Sequence, residues 1–364
     1  MKKKILHVIE STATGTLSAM RGLANSQIND GNYVSIIYSK RADTPKNLSN
    51  YFSPQISLIN IQMSSIPNIL ISFIKIFKFI LKFNPHYIFL ASSKAGFIGR
   101  IVGLFVNKKI LFFYIPHCIS YIRKDISSLK KIIFISLELI ASLKKCVIIA
   151  VSKSELKQIQ KFIKFSPSFL VENAVTSEYL NLRIPKKKNR NIITVGGIRP
   201  QKDPESFAKI AKKIMEIDNT ISFTWIGDGD SKSKKLLLES GVLVTGWLDT
   251  SEVKNRLLNS TLYLSTAKWE GMPVSLLEAL ACGLPVIAFN CLGNADIIKG
   301  RDIGFVFNRD DNVVNETLNL INDEEKIHRM SAAACTVVND WFNLNRNNRE
   351  INNIIKKTEE DHKL

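Results

Sequence analysis

Short apolar segments alternate with longer helical segments along this chain, and the alternation restricts the possible folds more than any other feature. The first apolar segment, Lys4 to Ile9, is followed by a loop of small residues, a helix and a second apolar segment from Tyr33 to Tyr38. Strand, loop, helix and strand in this order make up a parallel α/β unit. The same order starts afresh at Asn191, so the pattern predicts two parallel sheets in succession.

The length of the chain and a polar segment near its middle predict two domains. At 364 residues the chain exceeds the usual size of one hydrophobic core. Residues from about Thr176 to Arg190 are polar and contain three consecutive lysines, a composition typical of linkers. We expect doubly wound, Rossmann-like domains over residues 1–178 and 179–345, facing across a cleft, and a C-terminal helix over 346–364 that packs back towards the first domain.

The charge of the chain predicts an anionic partner. Its formal net charge is +18, which favours nucleic acid, a phospholipid surface or phosphorylated small molecules. The lysines are spread over many predicted helices and no nucleic-acid motif accompanies them, so nucleic acid is the least favoured of the three. Five scattered cysteines without a C-x-x-C pair favour a reducing compartment and argue against a zinc site.

Two basic and apolar segments leave their role open. In the segment from Ile66 to Phe83, Lys75, Lys78 and Lys82 fall on one helical face, which excludes a transmembrane span. The segment is either a core helix with one solvated face or a helix lying on anionic lipid. The second interpretation inserts three apolar side chains into the lipid: Phe73, Phe77 and Ile80. Ser128 to Lys145 repeats the ambiguity.

The segment from Trp269 to Phe289 combines a loop, a short helix and a strand around two glutamates. Pro273 suits the first position of a helix and Gly283 suits its C-terminal cap. Glu270 precedes the helix N-terminus, where backbone N–H groups favour a bound anion, and Glu278 lies inside the helix. The residues alone leave two interpretations: ordinary surface charges, or a ligand site in which both carboxylates accept hydrogen bonds from hydroxyls.

This segment resembles the E-x7-E signature of the retaining family-4 glycosyltransferases, which have the GT-B fold. The match includes G-x-P after Glu270 and E-A-x-A-x-G-x-P-V-I beginning at Glu278. The resemblance implies that the second domain binds a nucleotide-diphosphate sugar and the first binds the acceptor. It also implies that Glu270 contacts the donor sugar and that Glu278 holds the ribose hydroxyls. No cofactor is expected, because the nucleotide sugar is a substrate, and no metal is expected either.

A cationic loop is expected to complete the donor site. Arg199 and Lys202 are three residues apart on a loop between a strand and a helix, so both can reach one anion. We expect them to bind the diphosphate together with the start of the following helix: Gly271, Met272, Pro273 and Val274. The family's G-R-x-x-x-x-K loop is matched at Gly196 and Lys202 but has Gly197 in place of Arg, and Arg199 is the expected substitute.

Four further residues complete the prediction. Gly15 either lets a ligand approach the first loop or belongs to a plain turn. Gly227 and Asp228 are expected to form a tight turn beside the nucleotide; Asp228-x-Asp230 is similar to the metal motif of the other major glycosyltransferase fold, but no metal role is expected. His117, at the end of a strand, is by itself a turn residue with a satisfied ring. The resemblance makes it a donor-sugar contact or a partner of a backbone carbonyl.

The resulting hypothesis is a retaining glycosyltransferase of the hexosyltransferase type. It would add a sugar to a lipid-linked saccharide in surface polysaccharide synthesis, such as O-antigen, lipopolysaccharide or capsule. The expected partners are a nucleotide-diphosphate sugar, that acceptor and an anionic membrane surface, and the expected location is cytoplasmic, peripheral on the inner face of the cell membrane. The alternatives are a nucleotide-sugar epimerase or hydrolase of the same fold and a basic nucleic-acid-binding protein.

Overall fold

The computed structural model describes residues 2–12, 14–185, 189–309 and 312–362. The lysine run 186–188 of the expected linker lies outside these residues. The chain divides into two compact units, the first formed by Met1–Asn173 with Leu344–Leu364 and the second by Ala174–Asn343. Each unit contains one parallel sheet, so the predicted α/β fold class is confirmed.

The first unit contains a seven-stranded parallel sheet in the order β3-β2-β1-β4-β5-β6-β7. Its strands are β1 Lys4–Ile9, β2 Tyr33–Tyr38, β3 Ser57–Asn60, β4 Tyr87–Ala91, β5 Leu111–Ile115, β6 Val147–Ala150 and β7 Ser168–Leu170. Its first helices are α1 Thr14–Asn29, α2 Ile66–Phe83, α3 Ser93–Gly103, α4 Ser128–Ala141 and α5 Lys153–Phe162. The central strands β4 and β5 are buried along their whole length, which explains their continuous apolar sequences.

The second unit contains a six-stranded parallel sheet in the order β10-β9-β8-β11-β12-β13. Its strands are β8 Asn191–Val195, β9 Ser222–Ile226, β10 Leu243–Val244, β11 Leu262–Ser265, β12 Val286–Phe289 and β13 Gly304–Phe307. Its helices are α6 Pro204–Ile217, α7 Ser231–Glu239, α8 Thr250–Leu258, α9 Val274–Ala281, α10 Asn294–Ile298, α11 Val313–Ile321 and α12 Glu324–Trp341. Buried Trp225 packs edge-on against Phe207 and donates its indole N–H to the Gly196 carbonyl at 2.8 Å. The core thereby fixes the backbone at the end of β8.

The last helix, α13 Leu344–Asp361, belongs to the first unit. Its Glu359 carboxylate accepts hydrogen bonds from Lys3 Nζ at 2.7 Å and from the Tyr87 hydroxyl at 2.6 Å. These contacts attach α13 to the amino-terminal ends of β1 and β4.

Two helices of the first unit begin within runs of small residues. Helix α1 begins at Thr14, so Gly15 lies in its first turn and not in a loop. Helix α3 begins at Ser93, and the Ser92 hydroxyl caps it by accepting a hydrogen bond from the Ala95 N–H at 3.4 Å. Small residues are common both in loops and in first turns, so the expectation that Gly15 lies in the first loop was wrong.

Helix α2 corrects the set of side chains expected to enter lipid. Ile80 is only 1% exposed and, with Ile76, packs into the core of its own unit. It is therefore unavailable to a membrane. The large aliphatic side chains that α2 does expose are Leu70, Ile71, Ile74 and Leu81. Among the described residues, no helix combines the length and apolar character that crossing a bilayer requires.

Candidate active site

The loops at the carboxyl end of the second sheet contain most of the predicted site residues. One loop follows β8 and includes residues 196–203, another follows β11 and includes 266–273, and a third follows β12. Ligands of open parallel α/β sheets bind at this edge. The second unit therefore places the candidate donor residues where the fold offers a binding surface.

An ion pair joins the first two loops. Lys202 Nζ lies 2.7 Å from Glu270 Oε1, and the two side chains are 18% and 9% exposed. Burial lowers the pKa of Lys202, but the Glu270 carboxylate more than offsets this effect, and the net pKa lies above the ordinary value. Lys202 is therefore a cation at neutral pH, in direct contact with the first glutamate of the E-x7-E segment.

Further hydrogen bonds hold the two loops together. Gln201 Nε2 lies 3.4 Å from Glu270 Oε2, and the Gln201 carbonyl accepts a hydrogen bond from the Lys268 N–H at 2.8 Å. The Thr266 hydroxyl donates to the Lys202 carbonyl at 2.8 Å. Both the backbone and the side chains around the ion pair are thus fixed. No motif in the sequence indicated these three supporting residues.

Two glycines form the surface on which Arg199 and Lys202 lie. A Cβ added at Gly196 would lie 2.8 Å from Lys202 Cε, and one added at Gly197 would lie 2.5 Å from Arg199 Nη2. The structure therefore places both cations over adjacent backbone positions. Gly227 is required for the same packing, because a Cβ there would lie 2.1 Å from the Gly196 carbonyl oxygen.

The helix after Glu270 begins one residue later than expected. Pro273 is the N-cap residue of α9 and Val274 is its first residue. Since proline has no N–H, the expected anion donors reduce to the N–H groups of Gly271, Met272 and Val274. Glu278 is half-buried and lies one helical turn after Val274, on the same side of α9.

The loop after β12 packs directly on Gly271. Gly293 has φ +86°, and a Cβ at this position would lie 2.6 Å from the Gly271 carbonyl oxygen. Only glycine fits such a close approach in the left-handed region. This loop therefore supports the backbone between Glu270 and the start of α9.

Asp228 is engaged by neighbouring groups. Its carboxylate accepts hydrogen bonds from the Gly229 N–H at 2.8 Å and from Lys234 Nζ at 3.1 Å, and these two partners lower its pKa. The Asp230 carboxylate caps α7 by accepting from the Ser233 N–H. Among the described residues, no group of three or more His, Cys, Asp or Glu side chains could hold a metal ion. The expected absence of a metal role stays a prediction.

His117 and Gly15 belong to the first unit. His117 and Cys118 follow β5 with φ +52° and +101°, values that are uncommon for residues other than glycine. Buried Glu155 stabilises this turn, because its Oε1 accepts hydrogen bonds from the Cys118 N–H at 2.8 Å and the Ile119 N–H at 2.9 Å.

The sequence alone favoured a His117 ring with its hydrogen bonds satisfied, and the structure differs. Its Nε2 is buried, and no group of the described chain hydrogen-bonds to it. Burial lowers the pKa of His117 to about 4. The imidazole is therefore neutral at pH 7 and able to exchange one further hydrogen bond.

Comparisons with known proteins agree with this architecture. A family model described as glycosyl transferases group 1 matches residues 181–336. The chain is 27% identical over 300 residues to UDP-Gal:alpha-D-GlcNAc-diphosphoundecaprenol alpha-1,3-galactosyltransferase of Escherichia coli, covering 75% of this chain and 76% of that protein. It is 30% identical over 263 residues to an uncharacterized 41.2 kDa protein in the cps region of Klebsiella pneumoniae, covering 68% and 72%.

The fold itself is similar to that of a solved structure. Sucrose-phosphate synthase from Thermosynechococcus elongatus superposes with a TM-score of 0.83 at 14% identity, over 98% of this chain and 99% of that one. At this identity the likeness concerns the arrangement of strands and helices and does not extend to substrates.

Proposed function

The chain belongs to the group 1 glycosyl transferases and is a glycosyltransferase of GT-B fold, and we propose that it transfers a sugar with retention from a nucleotide-diphosphate donor. The observation that carries this proposal is the Lys202–Glu270 ion pair beside the start of α9. It places a cation for a phosphate, a carboxylate for sugar hydroxyls and a helix N-terminus within one set of loops. These are the groups that the family resemblance assigns to donor binding, through its cationic loop and its E-x7-E segment.

The cations of the site would stabilise the leaving diphosphate. Breaking the bond between sugar and phosphate leaves additional negative charge on the diphosphate, and fixed cations and N–H groups stabilise that charge. We assign this role to Arg199, Lys202 and the N–H groups at the start of α9. Arg199 lies over Gly197, which supports its role as the substitute for the family's arginine at that position.

Glu270 and Glu278 would bind the two sugars of the donor, the transferred sugar and the ribose. When the diphosphate replaces Glu270 as the ion-pair partner of Lys202, the Glu270 carboxylate becomes available to accept hydrogen bonds from the sugar hydroxyls. Glu278 would hold the ribose hydroxyls, and Gly227 with Asp228 would flank the nucleotide. As the resemblance implies, the leaving phosphate itself would help to deprotonate the acceptor. The sequence offers no evident nucleophile. Neither a metal nor a cofactor forms part of the proposal.

The first unit would supply His117 and the acceptor site. The neutral imidazole of His117 suits a hydrogen bond to a sugar hydroxyl or a backbone carbonyl, and we assign it that role. Gly15, in the first turn of α1, stays a prediction as a point of ligand approach. The acceptor would be a lipid-linked saccharide, a class supported by the diphosphoundecaprenol acceptor that the Escherichia coli relative's name specifies. The cps region named for the Klebsiella relative supports a role in surface polysaccharide synthesis.

The membrane contact would lie on helices α2 and α4 of the first unit. Each exposes aliphatic side chains next to lysines, and α3 packs against both helices. On α2 these residues are Leu70, Ile71, Ile74, Leu81, Lys75, Lys78 and Lys82, and on α4 they are Leu129, Ile132, Ile133, Leu139, Ile140, Lys130 and Lys131. Exposed aliphatic groups and lysines together suit a surface of anionic lipid. We propose peripheral binding to the cytoplasmic face of the membrane.

A transfer assay tests the proposed function. A panel of nucleotide-diphosphate hexoses is incubated with a prenyl-diphosphate-linked saccharide, and the new linkage is analysed for its anomeric configuration. Transfer with retention, abolished by Glu270→Gln, supports the proposal. Inversion, or release and epimerisation of the sugar without any acceptor, would contradict it.

A further inference from the structure

Asp203 follows Lys202 directly and has an unusual backbone conformation. Its φ and ψ are 53° and 63°, in the left-handed region, although it is not a glycine. Aspartate and asparagine tolerate this region better than most residues with a side chain, and the contacts around Asp203 hold it there. The residue is 2% exposed, which places those contacts inside the second unit.

The Asp203 carboxylate does not cap the helix that follows it. It occupies the N-cap position of α6, where aspartate commonly accepts a hydrogen bond from a first-turn N–H, yet its side chain makes no such bond. Its Oδ2 pairs with Arg309 Nη1 and accepts a hydrogen bond from the Ser206 hydroxyl at 2.7 Å. Its Oδ1 lies 3.3 Å from Lys268 Nζ. Burial raises the pKa of Asp203, but Ser206 and Arg309 more than offset it, so the group is ionised.

These contacts connect the loops at the ends of three strands, β8, β11 and β13, around Lys202. Arg309 follows β13, stacks on Phe289 at 4.8 Å and donates to the Thr266 carbonyl at 3.3 Å. The Thr266 hydroxyl in turn donates to the carbonyls of both Lys202 and Asp203, at 2.8 and 3.0 Å. The backbone carrying Lys202 is therefore held from the side of β11 and, through the carboxylate of the next residue, from the end of β13.

We infer that Asp203, anchored by Arg309 and Lys268, is a positioning residue that fixes Lys202 for binding of the donor diphosphate. The inference rests on the proposed function, since that function gives Lys202 its ligand. The cations of these loops fall into two groups. Arg309 and Lys268 pair with Asp203, whereas Arg199 and Lys202 lie over Gly197 and Gly196.

Two substitutions separate the carboxylate from the backbone conformation. Asp203→Gly accepts positive φ without strain and removes the carboxylate, whereas Asp203→Asn keeps the shape and tolerates this conformation. We expect both variants to bind UDP about 10-fold more weakly in calorimetry and to raise the donor KM to a similar extent, as loss of a supporting residue commonly does. Asp302→Asn, which breaks an exposed pair with Arg329 in the same unit, is the matched control and should bind UDP like the wild type.

A double-mutant cycle shows whether Asp203 acts through Lys202. On a Lys202→Ala background, Asp203→Gly should cause no additional loss of UDP affinity, because the group that it positions is already absent. Additive losses, or wild-type binding by Asp203→Gly, would overturn the positioning role while leaving Lys202 in the donor site. Wild-type UDP binding by Lys202→Ala alone would overturn the diphosphate clamp, and the positioning role with it. Melting temperatures identify any variant that is not folded.

Discussion

Replacing Glu270 by Gln should strengthen UDP binding while it abolishes sugar transfer. The carboxylate holds Lys202 at 2.7 Å, and at this separation two unit charges attract each other by roughly 6 kcal/mol at an effective dielectric constant of about 20. Desolvation offsets most of this attraction. Freeing Lys202 and removing a negative charge near the diphosphate should therefore leave a net gain of about 1–2 kcal/mol, or 5–30-fold in affinity.

Calorimetry and transfer assays measure the two effects separately. UDP carries the diphosphate without the sugar, so its affinity reports on Lys202 and not on the sugar contacts of Glu270. The transfer rate should fall by about 100-fold or more, as loss of a group that stabilises the transition state commonly causes. Glu278→Gln provides the contrast, because loss of the proposed ribose contact should weaken UDP binding.

Two results would refute this reasoning. If Glu270→Gln binds UDP no more tightly than the wild type, the ion pair does not restrain Lys202. If the variant still transfers sugar at the wild-type rate, Glu270 does not contact the reacting sugar, and the assignment of the E-x7-E segment is wrong.

Three further predictions concern the membrane, the pH dependence and the donor. Charge reversal at three exposed α2 lysines should weaken sedimentation with vesicles of anionic lipid, whereas the same change at three exposed α6 lysines should not; equal binding of the wild type to neutral vesicles would contradict an electrostatic contribution. The two sets are Lys75, Lys78 and Lys82 on α2, and Lys209, Lys212 and Lys213 on α6. Burial lowers the pKa of His7 to about 4. As the pH falls from 6.5, the unfolded chain therefore binds a proton at His7 before the folded chain does, and the free energy of unfolding should fall by roughly 3 kcal/mol by pH 4. Urea unfolding of His7→Gln should lack this share of the loss; an unchanged pH dependence would show that His7 does not cause it. In a thermal-shift panel of nucleotide sugars, the true donor should raise the melting temperature most, and a uniform response would argue against a specific donor site.

The sequence predicted the elements with strong local signals. The order of strands and helices, the helix between Pro273 and Gly283, and the separate sheet beginning at Asn191 all follow from apolar runs, proline and glycine. The edge strands β3 and β13 were not predicted. Each has only four residues, and their half-exposed or exposed side chains do not form a buried apolar run.

The contacts within the site could not be predicted from the sequence. Glu270 and Lys202 were each assigned to a ligand, and nothing in their spacing indicated that they pair with one another. Asp203 and Arg309 are 106 positions apart and belong to no common motif. Their contact arises because β8 and β13 end at the same edge of one sheet, which only the folded topology reveals.

A crystal structure with a bound nucleotide-diphosphate sugar tests the central claim most directly. We predict the diphosphate at a hydrogen-bonding distance of roughly 3 Å from Lys202 Nζ and from N–H groups at the start of α9, with the sugar against Glu270 and the ribose against Glu278. A donor bound away from these residues, with the Lys202–Glu270 pair intact, would contradict the claim.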